Sequence, residues 1–425
     1  MRHSSTNVAV RHGRLRVRSA RGPIVRLLSA VVAVAVVSVG AVTAYAVNDT
    51  IHSLKPSIHL VSASGTTITP PTVGAESGAV NILLAGTDTR TGQGGAFSTA
   101  DELAGSSGAG NNDVTMVLHL SADHQHATVI SIPRDLMAPI PSCPTPNGPS
   151  SAESSAQFNT TLSIGGLSCT VLTAEALTGL TIPYAAEISF DGVIAMSNAV
   201  GGVTVCLASA VTDPYVGLDL PAGEQTLVGA QALAFVRSRH GVGDGSDLGR
   251  ISDQQLFLSA LLRKATSAGV LSNPITLYGL AKAATSNIQL SDSLDSPTTL
   301  VSIALALKSV PLSDFVFLQY PSMTDPDNDN RVVPEPTGVA ALQQALASDT
   351  PVQLTGTTGS ATEAAPATSA ASPSPTSTPA ATTAPGGSTA APTDPGTPAP
   401  TSTAVALPSN VTGQTAAEQT CTKGN

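Results

Sequence analysis

The stretch VTMVLHLSADHQHATVISIPRD (114–135) holds two short apolar runs rich in β-branched residues, VTMVLHL (114–120) and ATVISIP (127–133), and the second leads straight into an Arg–Asp pair. Runs of this length and composition read as strands. Four more share the same pattern: VNILLAG (80–86), AAEISF (185–190), VTVCL (203–207) and FVFLQ (315–319). Interleaved with them are runs at helical spacing: SCTVLTAEALTG (168–179), DGVIAMSNAVG (191–201), Ile251 to about Ala268, and segments near 274–285 and 296–308. Strands alternating with helices predict an α/β layered domain whose sheet is covered on both faces. No internal repeat is visible.

Outward from this body, the composition changes on both sides. Residues 1–26 carry seven arginines and no acid, which leaves 12 basic against 29 acidic residues in the rest of the chain. From Leu27 to Val47 the run LLSAVVAVAVVSVGAVTAYAV has no charge. At ~1.5 Å per residue it matches the ~30 Å of a bilayer core. The run exceeds the ~7–15 apolar residues usual in a signal peptide, although Ala44 and Ala46 leave a weak small-residue cleavage site. An uncleaved single-pass anchor in the cell membrane is the reading preferred. Arginines before the span place the N-terminus in the cytoplasm and the remainder outside.

On the other side, residues 356–404 contain no Val, Ile, Leu, Met or aromatic residue, and only Glu363 and Asp394 are charged. Such a segment cannot bury enough apolar surface to offset the entropy of ordering it. The expected organisation is therefore a basic segment (1–26), a transmembrane helix (27–47), a stalk (48–77), a folded domain (78–350), a disordered linker (351–405) and a short tail (406–425) that ends near Cys421. Outside the cytoplasm, four cysteines suit two disulfides. Three connectivities are possible; proximity favours Cys143 with Cys169, which leaves Cys206 for Cys421. No CxxC spacing is present to suggest structural zinc.

A chain with 3% aromatic residues, no Trp, a net charge of −10 and a pI near 5.1 lacks the basic surface of a nucleic-acid binder. On so acidic a domain the few arginines stand out. Arg90 and Arg134 each come after an apolar strand; Arg237 and Arg239 share one side of an extended FVRSR segment, because side chains alternate along it; Arg250 and Gln254 lie four apart, on one face of a helix. Ligands of α/β sheets bind at strand ends, and guanidinium forks grip phosphate oxygens bidentately. Taken singly, each arginine is explained by pairing with a nearby acid such as Asp88, Asp135 or Asp247. The shared placement of five favours a pyrophosphate site. Asp88, Asp113, Asp135 and Asp247 sit close to these arginines in sequence, and carboxylates beside phosphates suit Mg²⁺ or Mn²⁺ or a general base. Asp191, before a helix, and Asp213, before Pro214, read as ordinary cap and turn residues.

Other patterns fail. DPDNDN (325–330) has Asn330 where a calcium loop needs Gly and Pro336 where it needs Glu. HGVGDGSDLGR (240–250) fits neither GxGxxG nor a P-loop and reads as a flexible loop placing Asp247 and Arg250. GxSxG and HExxH are absent, and the eight histidines do not cluster as metal ligands along the sequence.

Together, NILLAGTDTR (81–90), NNDVTMVLHLSAD (111–123), VISIPRDL (129–136), FDGVIAMSNAVGGVTVCL (190–207) and LPAGEQTLVGAQALAFVRSRHGVGDGSDLGRISDQQ (220–255) resemble the LytR-CpsA-Psr family of membrane-anchored bacterial cell-wall enzymes, over about residues 78–347. The resemblance implies a phosphotransferase that moves a glycopolymer from an undecaprenyl-pyrophosphate carrier to peptidoglycan through a phosphodiester. By motif, it implies that Arg134, Arg237, Arg239, Arg250 and Gln254 hold the pyrophosphate with support from Arg90. Asp88 and Asp113 would bind Mg²⁺, one of them a candidate base, and Asp247 would orient an arginine or activate the acceptor hydroxyl. Two positions depart from the family: Asn111 and Asn112 stand where a basic residue is common, and Asp253 stands where the family has an arginine. A lipid carrier also demands an apolar groove, for which the Ala, Leu and Val side chains of the helical runs are candidates. The expectation is a three-layer α/β/α domain around a central mixed sheet. Its partners would be a polyprenyl-pyrophosphate-linked glycopolymer, peptidoglycan and membrane lipid, with no nucleic acid. A polyprenyl-pyrophosphate hydrolase and a non-catalytic wall-binding or regulatory protein are the alternatives.

Overall fold

The computed structural model describes residues 78–90, 110–271, 273–365 and 404–425, with short pieces at 48–49, 52, 55–62 and 66. The apolar run at 27–47, and with it the expected membrane anchor, lies outside the described residues; so does most of the long Ala/Thr/Ser/Pro stretch, 366–403. No helix among the described residues is long and apolar enough to cross a membrane. The chain divides into two units, Met1–His52 and Ser53–Asn425, and the second holds the folded domain.

A seven-stranded mixed sheet forms the centre of that domain. In chain order the strands are β1 (Val80–Thr87), β2 (Asn112–Leu120), β3 (Ala127–Ile132), β4 (Tyr184–Ile188), β7 (Ile288–Leu290), β8 (Phe315–Gln319) and β10 (Gly413–Thr415), arranged β7-β4-β1-β2-β3-β8-β10. The β1–β4 and β3–β8 pairs are parallel and the remainder antiparallel. A smaller sheet orders β6 (Gly223–Leu227), β5 (Val203–Leu207), β11 (Thr420–Thr422) and β9 (Thr362–Ala364) side by side. The helices of more than one turn are α1 (Thr161–Thr178), α2 (Phe190–Ala199), α3 (Ala230–Arg237), α4 (Asp247–Thr266), α5 (Pro274–Asn287), α6 (Pro297–Ser309) and α7 (Pro336–Ala347).

Alternation along the strands explains the layering. In β1, Leu83 and Ala85 face α1 and α7, where Val171, Ala174, Leu342 and Leu346 close one core. Val80 and the β2 residues Met116 and Leu120 face the other way, towards Ile303 and Ala306 of α6 and Leu258 and Leu262 of α4. Burying both faces is what forces near-continuous apolar strands; every residue of β3 is buried. A third core joins the small sheet to α3 and α4 through Val203, Val205, Phe235 and Phe257.

Three expectations need correction. FVRSR is not extended: α3 runs to Arg237 and only its cap, Ser238, has extended dihedrals before a bend at Arg239, because Ala232, Leu233 and Phe235 bury a helical face. The stalk is not free up to residue 77, since Leu60 is buried in the main core and Ile58 bridges Ser291. Residues 351–365, assigned by composition to a linker, are ordered. Val352–Gln353 pairs with Val405–Ala406, and β9 pairs with β11. The tail thus returns to the body, and both cysteine pairs sit at bonding distance, Cys143–Cys169 and Cys206–Cys421 with Cα atoms 5.1 and 4.5 Å apart.

Candidate functional site: an arginine cluster over an apolar cavity

The C-terminal ends of the parallel β1 and β4 and the N-terminal end of β2 open on one cavity of about 400 Å³. A bulge between Gly86 and Thr87 ends the regular β1–β2 register there, which re-aims the chain as it leaves the sheet. Part of its lining is charged or polar: Asp113, Arg134, Arg237, Arg239, Arg250 and Gln254. The rest is largely apolar, with Met116 of β2, Val193 and Met196 of α2, Leu233 and Val236 of α3, and Phe257, Leu258 and Leu261 of α4. Alanine takes no part in this lining, contrary to the sequence expectation; longer Leu, Val, Met and Phe side chains make it.

Asp247, in the first turn of α4 behind the Ser246 cap, organises the charged part. Its Oδ1 lies 2.6 Å from Arg250 Nη2, 3.5 Å from Arg239 Nη2 and 3.7 Å from Arg134 Nε. Arg134, just beyond β3, also meets Asp113 Oδ1 at 2.6 Å, and Arg250 Nη2 donates to the Asp113 carbonyl at 2.7 Å. Burial works against the Arg134 charge, but Asp113, with Asp247 and Asp135 behind it, outweighs that and holds the guanidinium above its ordinary pKa. Arg239 has the opposite balance: burial, then the Arg250 charge, lower it despite Asp247. Three guanidinium groups share the one Asp247 oxygen, and the buried Nε atoms of Arg134 and Arg250 find no hydrogen-bond acceptor. Unfilled donors on buried cations call for an anion with several oxygens.

Arg237, the last residue of α3, lies over the Phe190 ring with Cζ 4.4 Å from its centroid, a cation–π contact. Gln254 faces the cavity on the same side of α4 as Arg250, but its amide donates to the Val236 carbonyl at 2.9 Å and so steadies the end of α3. Arg90 is described yet is not among the residues lining the cavity.

Asp88 stands just outside it. Burial pushes its carboxyl up, the backbone N–H of Asn111 at 2.7 Å pulls it down, and the charge of Asp113 adds to the rise. Two neighbouring carboxylates, one disfavoured in its ionised form by the other, fit a hard divalent cation bound through one or two carboxylates, with water and phosphate oxygens completing its shell.

Two aspartates read differently in three dimensions. Asp253 points away from the cavity: it is fully buried and accepts from the Thr422 hydroxyl of β11 at 2.8 Å, and burial raises its pKa well above the usual carboxylate range. Its charge therefore does not face the arginines. Asp213, read as a turn residue, accepts from Ser238 Oγ at 2.8 Å, Arg239 N at 3.1 Å and Gly241 N at 3.3 Å. It fixes the segment that carries Arg239. An Asp-Pro pair gave no sign of this, because its partners lie 25 to 28 residues away.

The family model of the LytR_cpsA_psr family matches residues 35–346. Among curated proteins, the chain is 33% identical over 267 residues to the cell wall biosynthesis protein LcpA of Corynebacterium glutamicum, covering 58% of this chain and 51% of that protein. It is 31% identical over 192 residues to the polyisoprenyl-teichoic acid–peptidoglycan teichoic acid transferase TagU of Oceanobacillus iheyensis, covering 45% and 53%. The chain thus spans about half the length of these relatives. A solved structure, protein gbs0355 from Streptococcus agalactiae, shares the fold with a TM-score of 0.51 at 20% identity, over 64% of this chain and 87% of that one.

Proposed function

The chain belongs to the LytR-CpsA-Psr family, and from that premise we propose that it is a phosphotransferase that attaches a glycopolymer, delivered on a polyprenyl-pyrophosphate carrier, to peptidoglycan. The observation that carries this reading is the joining of two chemistries in one cavity, a cluster of arginines held around Asp247 and a set of apolar side chains from the sheet and α2 to α4. A polyprenyl pyrophosphate has the same two parts.

In this reading an acceptor sugar hydroxyl attacks the phosphorus that bears the glycan. A new P–O bond forms, the P–O bond bridging the two phosphates breaks, and polyprenyl monophosphate leaves. Arg134, Arg239 and Arg250 hold the phosphate oxygens and offset the negative charge that grows on the leaving phosphate, which is the usual source of rate in phosphoryl transfer. Asp247 keeps the three guanidinium groups aimed together. Asp88 and Asp113 would hold Mg²⁺, which supplies charge neutralisation at the phosphates when bound. Asp88, its carboxyl already pushed up by burial, is the candidate to take the hydroxyl proton. Gln254 and Asp213 are positioning residues.

A single-pass anchor at 27–47, with this domain outside the cell, would bring the cavity to the leaflet in which such a carrier sits. The two disulfides support an oxidising compartment. Incubating the purified protein with a polyprenyl-pyrophosphate glycan and peptidoglycan fragments tests the proposal. A phosphodiester-linked product supports it. Free phosphate formed at the same rate without acceptor would assign a hydrolase, and binding without any product would overturn catalysis.

A further inference from the structure

At the far end of β2 from Asp113, six residues along the strand and so ~20 Å away, the fold assembles a cluster that the sequence disperses. His119 at the end of β2, His126 just before β3 and Asp349 after α7 place one ligand atom each within 4.8 Å of one another. No such cluster is visible along the sequence, because Asp349 is 230 residues from His119.

Hydrogen bonding at His119 shows what the cluster lacks. Asn81 donates its amide N–H to the Thr181 carbonyl at 2.8 Å, so its Oδ1 is the atom facing His119 Nδ1 at 2.7 Å. An amide oxygen only accepts, and therefore Nδ1 carries a proton, so that in the neutral ring Nε2 is the nitrogen with the lone pair. Nε2 faces Asp349 Oδ1, 3.1 Å away. Two acceptors facing each other need a proton or a cation between them. The His126 side chain, over nine-tenths buried, adds a third: its Nε2 has no hydrogen-bond partner. His124 does not compete for the cluster with its Nε2, which contacts the Gly78 carbonyl at 2.9 Å.

Asp349 is itself an uncomfortable residue. It sits in the left-handed region, φ 51°, at the exit of α7, where Gly or Asn is favoured, and it sets a carboxylate beside the negative end of the helix dipole. Its Oδ2 accepts from Ala122 N at 2.9 Å, which leaves Oδ1 directed at the histidines.

We propose that His119, His126 and Asp349 form a structural site for a divalent transition metal of the Zn²⁺ class. Two imidazoles and a carboxylate are a common zinc donor set, with bonds of ~2.0–2.2 Å that place tetrahedral ligand atoms roughly 3.3 Å apart. The His119–Asp349 separation already fits, and a small inward movement of His126 completes three ligands. Asp349, about one-third exposed in its side chain, leaves the ion a route in and water a fourth position. Asn81 orients His119 from behind, as outer partners of zinc histidines do. The ion would tie the β2–β3 turn to the exit of α7.

The test uses the full-length protein in detergent, stripped with a chelator and titrated with Zn²⁺, and then with Co²⁺ as a spectroscopic reporter of the ligand field. The expected result is one tight equivalent with a raised Tm and a tetrahedral Co²⁺ spectrum, lost in His126→Ala and in Asp349→Asn. Asn81→Ala should weaken binding roughly 10- to 100-fold. Asp88→Asn with Asp113→Asn should leave it intact. Asp349→Asn changes a partly exposed side chain and keeps the test open should His126→Ala fail to fold. If the wild-type protein binds no such equivalent, or binds it as tightly in Asp349→Asn as in wild type, the site does not exist.

Discussion

Replacing Asp213 by alanine should loosen the segment that carries Arg239 without replacing any arginine. The carboxylate accepts four hydrogen bonds, from Ser238 Oγ and the backbone N–H groups of Tyr215, Arg239 and Gly241. Ser238 is fully buried and Gly241 is buried with it, so two donors would lose their acceptor where water cannot replace it. At ~1–3 kcal/mol for each buried unsatisfied group, the variant should lose about 2–6 kcal/mol, a fall in Tm of roughly 5–15 °C at a few degrees per kcal/mol. Freed of its anchor, the segment would no longer aim Arg239. The loss of one charge-assisted contact, ~1.5–3 kcal/mol, is about a 10- to 150-fold weaker affinity for pyrophosphate.

The pH dependence gives a second handle on the same residue. Burial would raise the Asp213 carboxyl, but the donors around it win and hold it below the usual range. A depressed folded pKa contributes stability that is present above the unfolded value of ~3.9 and is lost as pH falls through the folded pKa. The Tm difference between wild type and Asp213→Asn should therefore be full at pH 7 and shrink in acid. Calorimetry from about pH 2 to 8, with titration of a polyprenyl pyrophosphate at neutral pH, reads both effects. An unchanged Tm together with unchanged affinity in Asp213→Ala would refute the reasoning.

Three further outcomes are expected from the same structure. Arg237→Ala with Arg239→Ala should cost at least about 100-fold in pyrophosphate affinity measured by calorimetric titration, and intact affinity would remove both from the cradle. Asp253 has a raised folded pKa, so wild-type stability should decline as pH rises from ~3.9 towards that pKa; Asp253→Asn should flatten the decline and raise Tm at neutral pH, as thermal melts across pH would show. Exchanging Cys206 and Cys421 for serine opens a loop of 215 residues and should cost about 2–5 kcal/mol in denaturant unfolding, with faster proteolysis of the tail.

The six strands read from sequence reappear because each is buried on one or both faces and therefore writes its burial into β-branched residues. The small sheet was legible only in β5. GEQTL, TEA and TCT carry almost no apolar signal, and β9 and β11 are held by pairing and by the Cys206–Cys421 bond. The α3 helix hid behind two arginines that looked alternating. The arginines themselves stood out in sequence because an acidic chain has so few. Asp213 and the His119–His126–Asp349 cluster could not be read, since both depend on chain reversals between distant segments.

The central claim is that clustered arginines and the apolar side chains of the same cavity hold the two halves of one lipid pyrophosphate. A crystal structure of the protein soaked with a polyprenyl pyrophosphate and Mg²⁺ tests it most directly. Phosphate oxygens should then lie on Arg134, Arg239 and Arg250, with the isoprenoid chain along Met116, Val193 and Leu258. Phosphates bound elsewhere, or a chain that leaves this cavity unfilled, would contradict it.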